Sequence, residues 1–459
     1  MTDDGLIESL VAAVGRDAVL DGDDVGDDYG HDECLTVAPR RPAAVVLPRN
    51  TAEVAAVVKV AAERGTPVTA RGSGTGLSGA ATPPDGAIVV SFERMDAVLD
   101  LDADNHVAVV QPGLRLNELD EITAAAGLVY PVYPGEYSAS LGGNVATNAG
   151  GMRAVKYGVT RHQVLGLELV LADGQVIRTG GKFVKATTGY DLTQLVIGSE
   201  GTLALVTEVT IRLYPRAPHQ ATVLAPFATL DQVTAAVPRI IDSGVGPLVL
   251  EYIDLLTMSA TASFTGLELG IPQEIKDSAL AYLVVMVEGT DPTRLDDDVA
   301  GVAEQLAELG AIDAYVLPPA AAGQLIDARE KAFWMAKANG ADDIVDIVVP
   351  RAQIPDFMEK VAALAGEYEA WIAGCGHAGD GNVHLGIFCG DDERRSRLLH
   401  ALFAAGVALG GAISGEHGIG EAKQAYFLEL EDPTKLALMR RIKAAFDPDG
   451  ILNPGTLLG

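Results

Sequence analysis

The sequence predicts an α+β protein in which a glycine-rich domain precedes a second domain of alternating helices and strands. Three observations lead to this prediction. A short βαβ pattern over residues 43–70 runs into a glycine run at 72–79. Strand patterns with tight turns then continue to Tyr214. The composition changes at residues 215–218, and the alternation that follows is typical of an α+β or α/β sandwich.

The elements before the glycine run are short. Apolar residues at helical spacing over 6–14 predict an amphipathic helix. Residues 43–48 read as a strand. Thr51 is the predicted N-cap of the next helix, which ends before Gly65. A second strand, over 67–70, leads directly into the glycines.

The stretch from the glycine run to Tyr214 is β-rich. A helix is predicted over 116–126, and a glycine- and asparagine-rich loop over 133–153. Asp173 and Gly174 are a strong hairpin signal. The predicted strands cover 87–91, 106–110, 165–172, 175–178 and 204–214.

The second domain contains longer helical patterns. The predicted helices cover 230–241, 297–309, 353–364 and 394–409. The predicted strands cover 248–253, 281–288, 314–317, 343–349 and 383–388. The predicted boundaries are 1–215 for the first domain, 216–420 for the second, and 421–459 for a C-terminal segment that returns to the first.

Length and charge restrict the class of protein. The chain has 459 residues, enough for two or three domains. Lys and Arg number 33 against 63 Asp and Glu, a formal charge of −30. Such a surface repels nucleic acids and anionic membranes, so no nucleic-acid partner is expected. An anionic substrate would need a local basic pocket.

Cysteine usage and hydropathy point to a cytoplasmic protein. Cys34, Cys375 and Cys389 form no CxxC pair, so they cannot by themselves build an iron–sulfur cluster, a zinc ribbon or a disulfide framework. The acidic start, Met1 to Asp4, has no signal-peptide pattern. The longest bland stretch, 401–414, is too short and too rich in glycine to span a bilayer.

The glycine run indicates a phosphate-binding site. Glycines let a ligand approach the backbone and let several N–H groups point at one anion, and Arg71 adds a positive charge. A nucleoside-triphosphate P-loop would need Lys-Ser/Thr where Leu77 and Ser78 stand. A Rossmann site would need a helix that Pro83 and Pro84 would break. Two other interpretations of the glycine run remain. It binds FAD on a loop between two strands, or it is a flexible linker.

Five motifs favour FAD. They cover 72–79, 134–135, 141–151, 156–158 and 197–203. In this order they resemble the FAD-binding signatures of the vanillyl-alcohol oxidase / p-cresol methylhydroxylase (PCMH) flavoproteins. The resemblance spans about residues 40–215 and implies a PCMH-type FAD-binding domain of two α+β subdomains. The loop over 71–79 lacks the histidine to which some relatives attach flavin, so FAD is expected to be non-covalent.

The resemblance also implies which residues contact FAD. The glycines would let the backbone approach the ring and the diphosphate, and the amides of Asn144 and Asn148 would meet the isoalloxazine edges. The full set is Arg71, Gly72, Ser73, Gly74, Thr75, Gly76, Leu77, Ser78, Pro134, Gly135, Ser140, Gly142, Gly143, Asn144, Asn148, Gly150, Gly151, Tyr157, Gly158, Glu200, Gly201, Val206 and Asn453.

Two motifs in the second domain indicate a catalytic or metal-binding site. Residues 376–384 place His377 and His384 among small residues, and residues 414–421 contain the pair Glu416-His417. Two imidazoles and a carboxylate form a plausible metal set with open positions for substrate. Structural histidines are the alternative interpretation.

These motifs and residues 453–455 resemble the FAD-linked oxidase C-terminal domain. That domain occurs in glycolate oxidase flavin subunits, D-lactate dehydrogenases and D-2-hydroxyglutarate dehydrogenases, and it implies an α/β substrate (cap) domain. The resemblance implies a divalent metal, with zinc first and manganese or iron as alternatives. It implies these roles: metal ligands His377, His384 and Glu416; catalytic base His417; an orienting amide from Asn382; and a substrate-carboxylate site at Arg329.

The expected function is oxidation of an (R)-2-hydroxy acid of the D-lactate or glycolate class to the 2-oxo acid. The alternatives are a D-2-hydroxyglutarate dehydrogenase, a non-catalytic FAD-binding subunit of a larger oxidase, and an alkyl-glycerone-phosphate-synthase-like transferase. The hydroxyglutarate enzymes tend to carry a lysine where this chain has Ile344. Electrons would pass to a quinone, an electron-transfer flavoprotein, an iron–sulfur partner subunit or oxygen. An extended backbone at 416–417 would direct the side chains of Glu416 and His417 apart, one to the metal and one to the substrate. The expected assembly includes a homodimer as one alternative.

Overall fold

The computed structural model describes residues 4–458. Most of the acidic start on which the absence of a signal peptide was predicted therefore lies outside the described residues. Within residues 4–458, no helix combines the length and the apolarity needed to cross a bilayer.

A four-stranded sheet with two helices forms the N-terminal part. The strand order is β1-β2-β4-β3, with β2, β4 and β3 parallel and β1 antiparallel to β2. Buried aliphatic side chains of both helices pack against it. The elements are α1 (Asp4–Val14), β1 (Val19–Leu20), β2 (Ala44–Val46), α2 (Thr51–Arg64), β3 (Val68–Arg71) and β4 (Ile88–Ser91).

A five-stranded antiparallel sheet follows, in the order β5-β6-β10-β8-β9, beside a two-stranded ribbon of β7 and β11. The hairpin at Asp173 and Gly174 is confirmed, since it joins β8 to β9. The elements are β5 (Val98–Asp102), β6 (Val107–Val110), α3 (Leu116–Ala125), β7 (Leu128–Val129), α4 (Leu141–Thr147), α5 (Ala154–Tyr157), α6 (Thr160–Gln163), β8 (Val164–Val170), β9 (Val176–Gly180), α7 (Leu192–Val196), β10 (Leu205–Arg212) and β11 (Tyr214–Pro215).

The rest of the chain is built on a seven-stranded sheet in the order β15-β12-β14-β13-β17-β18-β16. Its elements are β12 (His219–Phe227), α8 (Leu230–Asp242), β13 (Val249–Asp254), α9 (Leu255–Thr265), α10 (Gln273–Ser278), β14 (Ala281–Gly289), α11 (Pro292–Glu308), β15 (Tyr315–Leu317), α12 (Pro319–Glu330), α13 (Ala332–Ala338), β16 (Asp343–Val348), α14 (Ile354–Glu367), β17 (Trp371–Gly376), β18 (Asn382–Phe388), α15 (Asp392–Ala408), α16 (Gln424–Leu430) and α17 (Pro433–Phe446).

Every pair of neighbouring strands in the seven-stranded sheet is antiparallel. Of the two architectures that the alternating pattern allowed, α+β and α/β, this region therefore has the α+β one. Helices α8, α11, α14 and α15 cover one face and bury the largest apolar cluster of the protein. Helices α9, α10 and α12 cover part of the other face. The uncovered part of that second face becomes one wall of the site.

The C-terminal segment returns to the first sheet. The N–H of Val68 donates to the carbonyl of Ile451, and the N–H of Asn453 donates back to the carbonyl of Val68, each at 2.8 Å. The Lys443 ammonium reaches the carbonyls of Thr202 and Leu452, both at 2.8 Å. These bonds hold the end of the chain beside the strand that leads into the glycine run.

Two local predictions are wrong. The N-cap of α2 is Asn50, whose side chain accepts the N–H of Glu53, while Thr51 is already helical and donates its hydroxyl to Glu168. The predicted loop over 133–153 contains α4, which Ser140 caps by accepting the N–H of Gly143. Glycine content hid this seven-residue helix. Further elements were not predicted at all: strands β1, β5, β7, β12 and β17, and helices α5, α6, α7, α9, α10, α12, α13, α16 and α17.

Candidate active site

A cavity of about 560 Å³ lies between the glycine-rich half of the chain and the open face of the seven-stranded sheet. The first half contributes the glycine run and the N-terminal end of α4. The second half contributes the imidazoles and the carboxylate singled out in the sequence. The predicted site residues that line it are Gly72, Ser73, Gly74, Thr75, Gly76, Leu77, Ser78, Pro134, Gly135, Ser140, Gly143, Asn144, Glu200, Gly201, Arg329, His377, His384, Glu416 and His417.

The glycine run folds back on itself directly after β3. Gly74 has a φ of +72°, and a Cβ there would lie 2.1 Å from the guanidinium of Arg71. Arg71 donates a hydrogen bond to the carbonyl of His31 at 2.6 Å. Its guanidinium therefore supports the turn from behind and holds the N-terminal segment, and it is not among the residues that line the cavity.

Ser140 joins the glycine run to α4. Its hydroxyl accepts the N–H groups of Ser73 at 3.3 Å and Gly143 at 3.4 Å. A Cβ at Gly72 would lie 2.0 Å from the Ser140 Oγ, so only glycine fits there. Asn144, near the N-terminal end of α4, is buried and lines the cavity. Its amide nitrogen has no hydrogen-bond partner among the described residues. Exposed backbone along the run and an unused amide donor fit an FAD site.

Glu200 and Asn453 connect distant parts of the chain at the cavity. The Glu200 carboxylate accepts the N–H groups of Ile419 at 2.8 Å and Gly420 at 2.7 Å. Burial raises the pKa of Glu200 to about 7. The Asn453 amide donates to the carbonyls of Ala80 and Glu200, and its oxygen accepts the hydroxyl of Thr69. The side-chain amide of Asn453 therefore stabilises the fold and is not available to a ligand in the cavity.

Other predicted FAD contacts support the cavity without lining it. Asn148 ends α4 and accepts the N–H of Arg161. Tyr157 donates its hydroxyl to Glu288 at 2.6 Å. A Cβ at Gly151 would lie 1.6 Å from the carbonyl oxygen of Tyr133. Within the described chain, the predicted residues outside the lining are Arg71, Gly142, Asn148, Gly150, Gly151, Tyr157, Gly158, Val206, Asn382 and Asn453.

The second half of the cavity gathers two imidazoles around one carboxylate. Glu416 Oε1 lies 2.9 Å from His377 Nε2 and 3.2 Å from His384 Nε2. One donor atom from each of the three residues falls within 4.8 Å of the others. Glu416 Oε2 is buried and has no partner among the described residues. A cluster of two nitrogen donors and a carboxylate with a free oxygen fits a divalent metal ion.

Glu251, on β13, is a site residue that was not predicted from the sequence. Its Oε1 lies 2.5 Å from His377 Nδ1, and its Oε2 lies 2.9 Å from Arg329 Nη2. Burial opposes a charged imidazole, but the carboxylates of Glu251 and Glu416 outweigh it and raise the pKa of His377 to about 10. A second-layer carboxylate of this kind fixes the orientation of a ligating histidine. An acid within an apolar strand was the available signal.

The predicted extended backbone at 416–417 is wrong, because the chain bends around Asp346. The buried carboxylate of Asp346 accepts the N–H groups of Gly415, Glu416 and His417 at 2.7–2.9 Å. It also accepts the hydroxyl of Ser414 at 3.0 Å and the ammonium of Lys423 at 2.6 Å. Both side chains of the Glu416-His417 pair consequently reach the same cavity.

His417 sits beside the cluster, and Asp346 holds its backbone N–H while the ring Nδ1 has no hydrogen-bond partner among the described residues. Its Nδ1 lies 3.5 Å from Asp346 Oδ1, and its ring centroid lies 5.1 Å from that of His384. Burial lowers the pKa of His417 to about 4, so the imidazole is neutral at pH 7 and has a free lone pair. A neutral imidazole next to a cation-binding cluster can accept a proton.

Arg329 and Asn382 differ in their access to the cavity. Arg329, near the end of α12, is buried and lines the cavity beside Glu251. Asn382 opens β18, and a Cβ at Gly415 would lie 2.0 Å from its amide nitrogen. Both amide atoms of Asn382 lack a partner among the described residues. Asn382 therefore packs beneath the bend over residues 414–417.

Comparison with known families identifies the class of protein. Residues 216–457 match the family model described as FAD linked oxidases, C-terminal domain, and residues 42–180 match the one described as FAD binding domain. The chain belongs to the FAD-linked oxidases. This FAD-linked oxidase is therefore an FAD-dependent oxidoreductase with the expected PCMH-type fold.

Full-length relatives and a solved structure agree. The FAD-linked oxidoreductase Rv2280 of Mycobacterium tuberculosis is 59% identical, covering 97% of each chain. A D-lactate dehydrogenase of Archaeoglobus fulgidus is 38% identical over 94% of this chain and 96% of its own. Glycolate oxidase subunit GlcD of Bacillus subtilis is 37% identical over 91% and 89%. Substrate-bound p-cresol methylhydroxylase, 17% identical, shares the fold with a TM-score of 0.82 over 99% and 96% of the two chains.

Proposed function

We propose that this FAD-linked oxidase oxidises an (R)-2-hydroxy acid of the D-lactate or glycolate class to the 2-oxo acid. The observation that carries the proposal is the shared cavity: Arg329, His417 and the cluster of His377, His384 and Glu416 face the glycine run across it. The names of the D-lactate dehydrogenase and glycolate oxidase relatives support the same substrate class.

The chain's own residues would bind and deprotonate the substrate. Arg329 presents a planar fork of N–H donors that suits a carboxylate, and it is a cation in the lining of an otherwise acidic protein. His417 would take the hydroxyl proton on its Nε2, because its Nδ1 faces Asp346. Glu251 would hold both Arg329 and His377 in place.

Two cofactors complete the chemistry. His377, His384 and Glu416 would hold a divalent ion, with zinc first and manganese or iron as alternatives, and such an ion would polarise the substrate hydroxyl. The glycine run and the N-terminal end of α4 would hold FAD, which we propose to be non-covalent, and FAD would supply the acceptor for the α-hydrogen and its electron pair. The substrate would thus lose one hydrogen as a proton to His417 and the other as a hydride, which carries the two electrons.

The electrons must then leave the flavin. The three cysteines of the chain do not form a CxxC pair, so we propose an external acceptor: a quinone, an electron-transfer flavoprotein or an iron–sulfur partner subunit. The name of the Bacillus subtilis relative, a subunit of glycolate oxidase, supports a partner subunit.

Anaerobic flavin reduction tests the proposed function. We expect D-lactate and glycolate to bleach the visible flavin band, and 2-propanol and ethanol, which lack the carboxylate, to leave it unchanged. Faster bleaching by (R)-2-hydroxyglutarate than by both acids would favour the D-2-hydroxyglutarate dehydrogenase alternative. A flavin that none of these compounds reduces would contradict the proposal and favour a non-catalytic FAD-binding subunit.

A further inference from the structure

A loop that precedes β2 is closed at its own base. The N–H of Arg40 donates to the carbonyl of Gly30 at 2.9 Å, so the two ends of residues 30–40 meet. A Cβ at Gly30 would lie 2.7 Å from the carbonyl oxygen of Arg40, so only glycine permits this approach. Residues 31–40 contain no helix and no strand. A compact surface loop of this length whose ends are close together is an Ω-loop.

Polar contacts, rather than apolar packing, hold the Ω-loop in place. Among residues 31–40, Asp32 is the one with a buried side chain. Its carboxylate accepts the N–H groups of Cys34 at 3.1 Å and Ala81 at 3.4 Å. A segment with little buried apolar surface can open locally at a small cost in free energy. A few hydrogen bonds and ion pairs therefore decide where the Ω-loop lies.

The Ω-loop packs directly on the glycine run. The N–H of Glu33 donates to the carbonyl of Gly76 at 2.8 Å. A Cβ at Gly76 would lie 3.1 Å from Asp32 Oδ2. A Cβ at Gly79 would lie 2.7 Å from Val37 Cγ2. Because Asp32 and Glu33 also line the cavity, the Ω-loop borders both the glycine run and the space that FAD would occupy.

Two ion pairs join the Ω-loop to other parts of the chain. Arg40 binds both carboxylate oxygens of Glu421 in the C-terminal segment, with Nη1 at 2.7 Å from Oε2. The backbone N–H of Glu421 donates to the carbonyl of Ser78 at 3.0 Å, so Glu421 also holds the glycine run. Glu33 Oε2 lies 2.6 Å from Lys337 Nζ on α13. The Ω-loop thus connects the glycine run with the C-terminal segment and with the second domain.

The glycine run depends on such contacts for its order. Glycine loses more conformational freedom on ordering than any other residue. The hydrogen bonds that fix the backbone of residues 72–79 include those of Glu33, Glu421 and the hydroxyl of Ser140. A run that is ordered before FAD arrives binds it more tightly, because less conformational entropy is then lost on binding. Contacts of the Ω-loop should therefore raise the affinity for FAD without touching its phosphates.

We propose that the Ω-loop positions the glycine run for FAD, and that Asp32 and the Arg40–Glu421 ion pair determine how slowly FAD dissociates. The inference rests on the non-covalent FAD of the proposed function. It adds positioning residues that lie outside the five motifs. Asp32 holds the Ω-loop to the segment that follows the glycine run, and Arg40 holds its base to the C-terminal segment. Loss of either contact frees the glycine run and releases FAD faster.

The test measures the loss of FAD from the holoenzyme after dilution into flavin-free buffer, by gel filtration and visible absorbance. Arg40→Glu, which places two acids side by side, should raise the dissociation rate constant about tenfold. Combining it with Glu421→Arg restores the ion pair with reversed charges and should return the rate constant to within about threefold of wild type. Arg49→Ala is the matched control and should release FAD at the wild-type rate, because Arg49 pairs with Asp17 and Glu53 outside the Ω-loop.

Asp32→Asn tests the buried contact. The amide keeps the shape of the side chain but replaces one accepting oxygen, so FAD should also dissociate about tenfold faster. If this variant does not fold, the Arg40 and Glu421 variants decide the question. Wild-type dissociation in Arg40→Glu, or no recovery in the double variant, would overturn the inference.

Two further outcomes separate this inference from the proposed reaction. FAD that stays attached to the acid-denatured chain would overturn non-covalent binding and the inference with it. No substrate enters the measurement of FAD release, so failure of the proposed oxidation would appear separately, as a flavin that 2-hydroxy acids do not reduce.

Discussion

Replacing His417 with alanine is expected to lower the rate constant of flavin reduction by D-lactate by about 10²–10⁴-fold. The imidazole is the group that we assign to the hydroxyl proton, and water cannot replace its fixed position beside Asp346. The measurement is anaerobic stopped-flow absorbance at saturating substrate. Flavin content and thermal unfolding, measured in parallel, show whether the variant still binds FAD and folds.

His400→Ala is the matched control for this variant. His400 lies on α15, is partly exposed and pairs with Glu429. In the His400→Ala variant, D-lactate should reduce the flavin at the wild-type rate. If His417→Ala reduces as fast as wild type, His417 is not the base. A large loss in both variants would indicate a general effect of removing a histidine rather than a role in the reaction.

Glu416→Gln is expected to abolish metal binding. The wild-type protein, purified without chelator, should contain about one divalent ion per chain, and the variant less than about a tenth. The substitution keeps the shape of the side chain but removes the charge that lies between His377 and His384. The readout is elemental analysis of desalted protein, so it does not depend on activity.

Glu421→Gln provides the comparison for the metal measurement. Glu421 is close in the chain but pairs with Arg40 outside the cavity. The Glu421→Gln variant should retain the wild-type metal content. Equal metal content in Glu416→Gln and wild type would remove the proposed ligand set. A wild-type protein that neither contains nor takes up a divalent ion would remove the metal itself.

Local sequence signals predicted many of the elements but missed long ones such as β12, α9, α12 and α17. Asp173-Gly174 specified its hairpin, and Gly65, with a φ of +62°, ends α2 as expected. The predictions were wrong where side chains override composition. Leu141 and Val145, four residues apart and fully buried, stabilise a helix in a stretch whose glycines indicated a loop.

The candidate site was predictable only in part. The motifs around His377, His384 and Glu416 contain the reactive groups, so the sequence displays them directly. Glu251 and Asp346 lie on other strands, and only the order of the seven-stranded sheet brings them behind the histidines. Sequence spacing carries no information on that order.

The most direct test of the proposed function is an anaerobic single turnover with the two enantiomers of lactate. We expect D-lactate to reduce the flavin and to yield one pyruvate per FAD, while L-lactate yields none at the same concentration. Stoichiometry links the substrate, the cofactor and the handedness of the site in one experiment. Equal yields from both enantiomers, or flavin reduction without pyruvate, would contradict it.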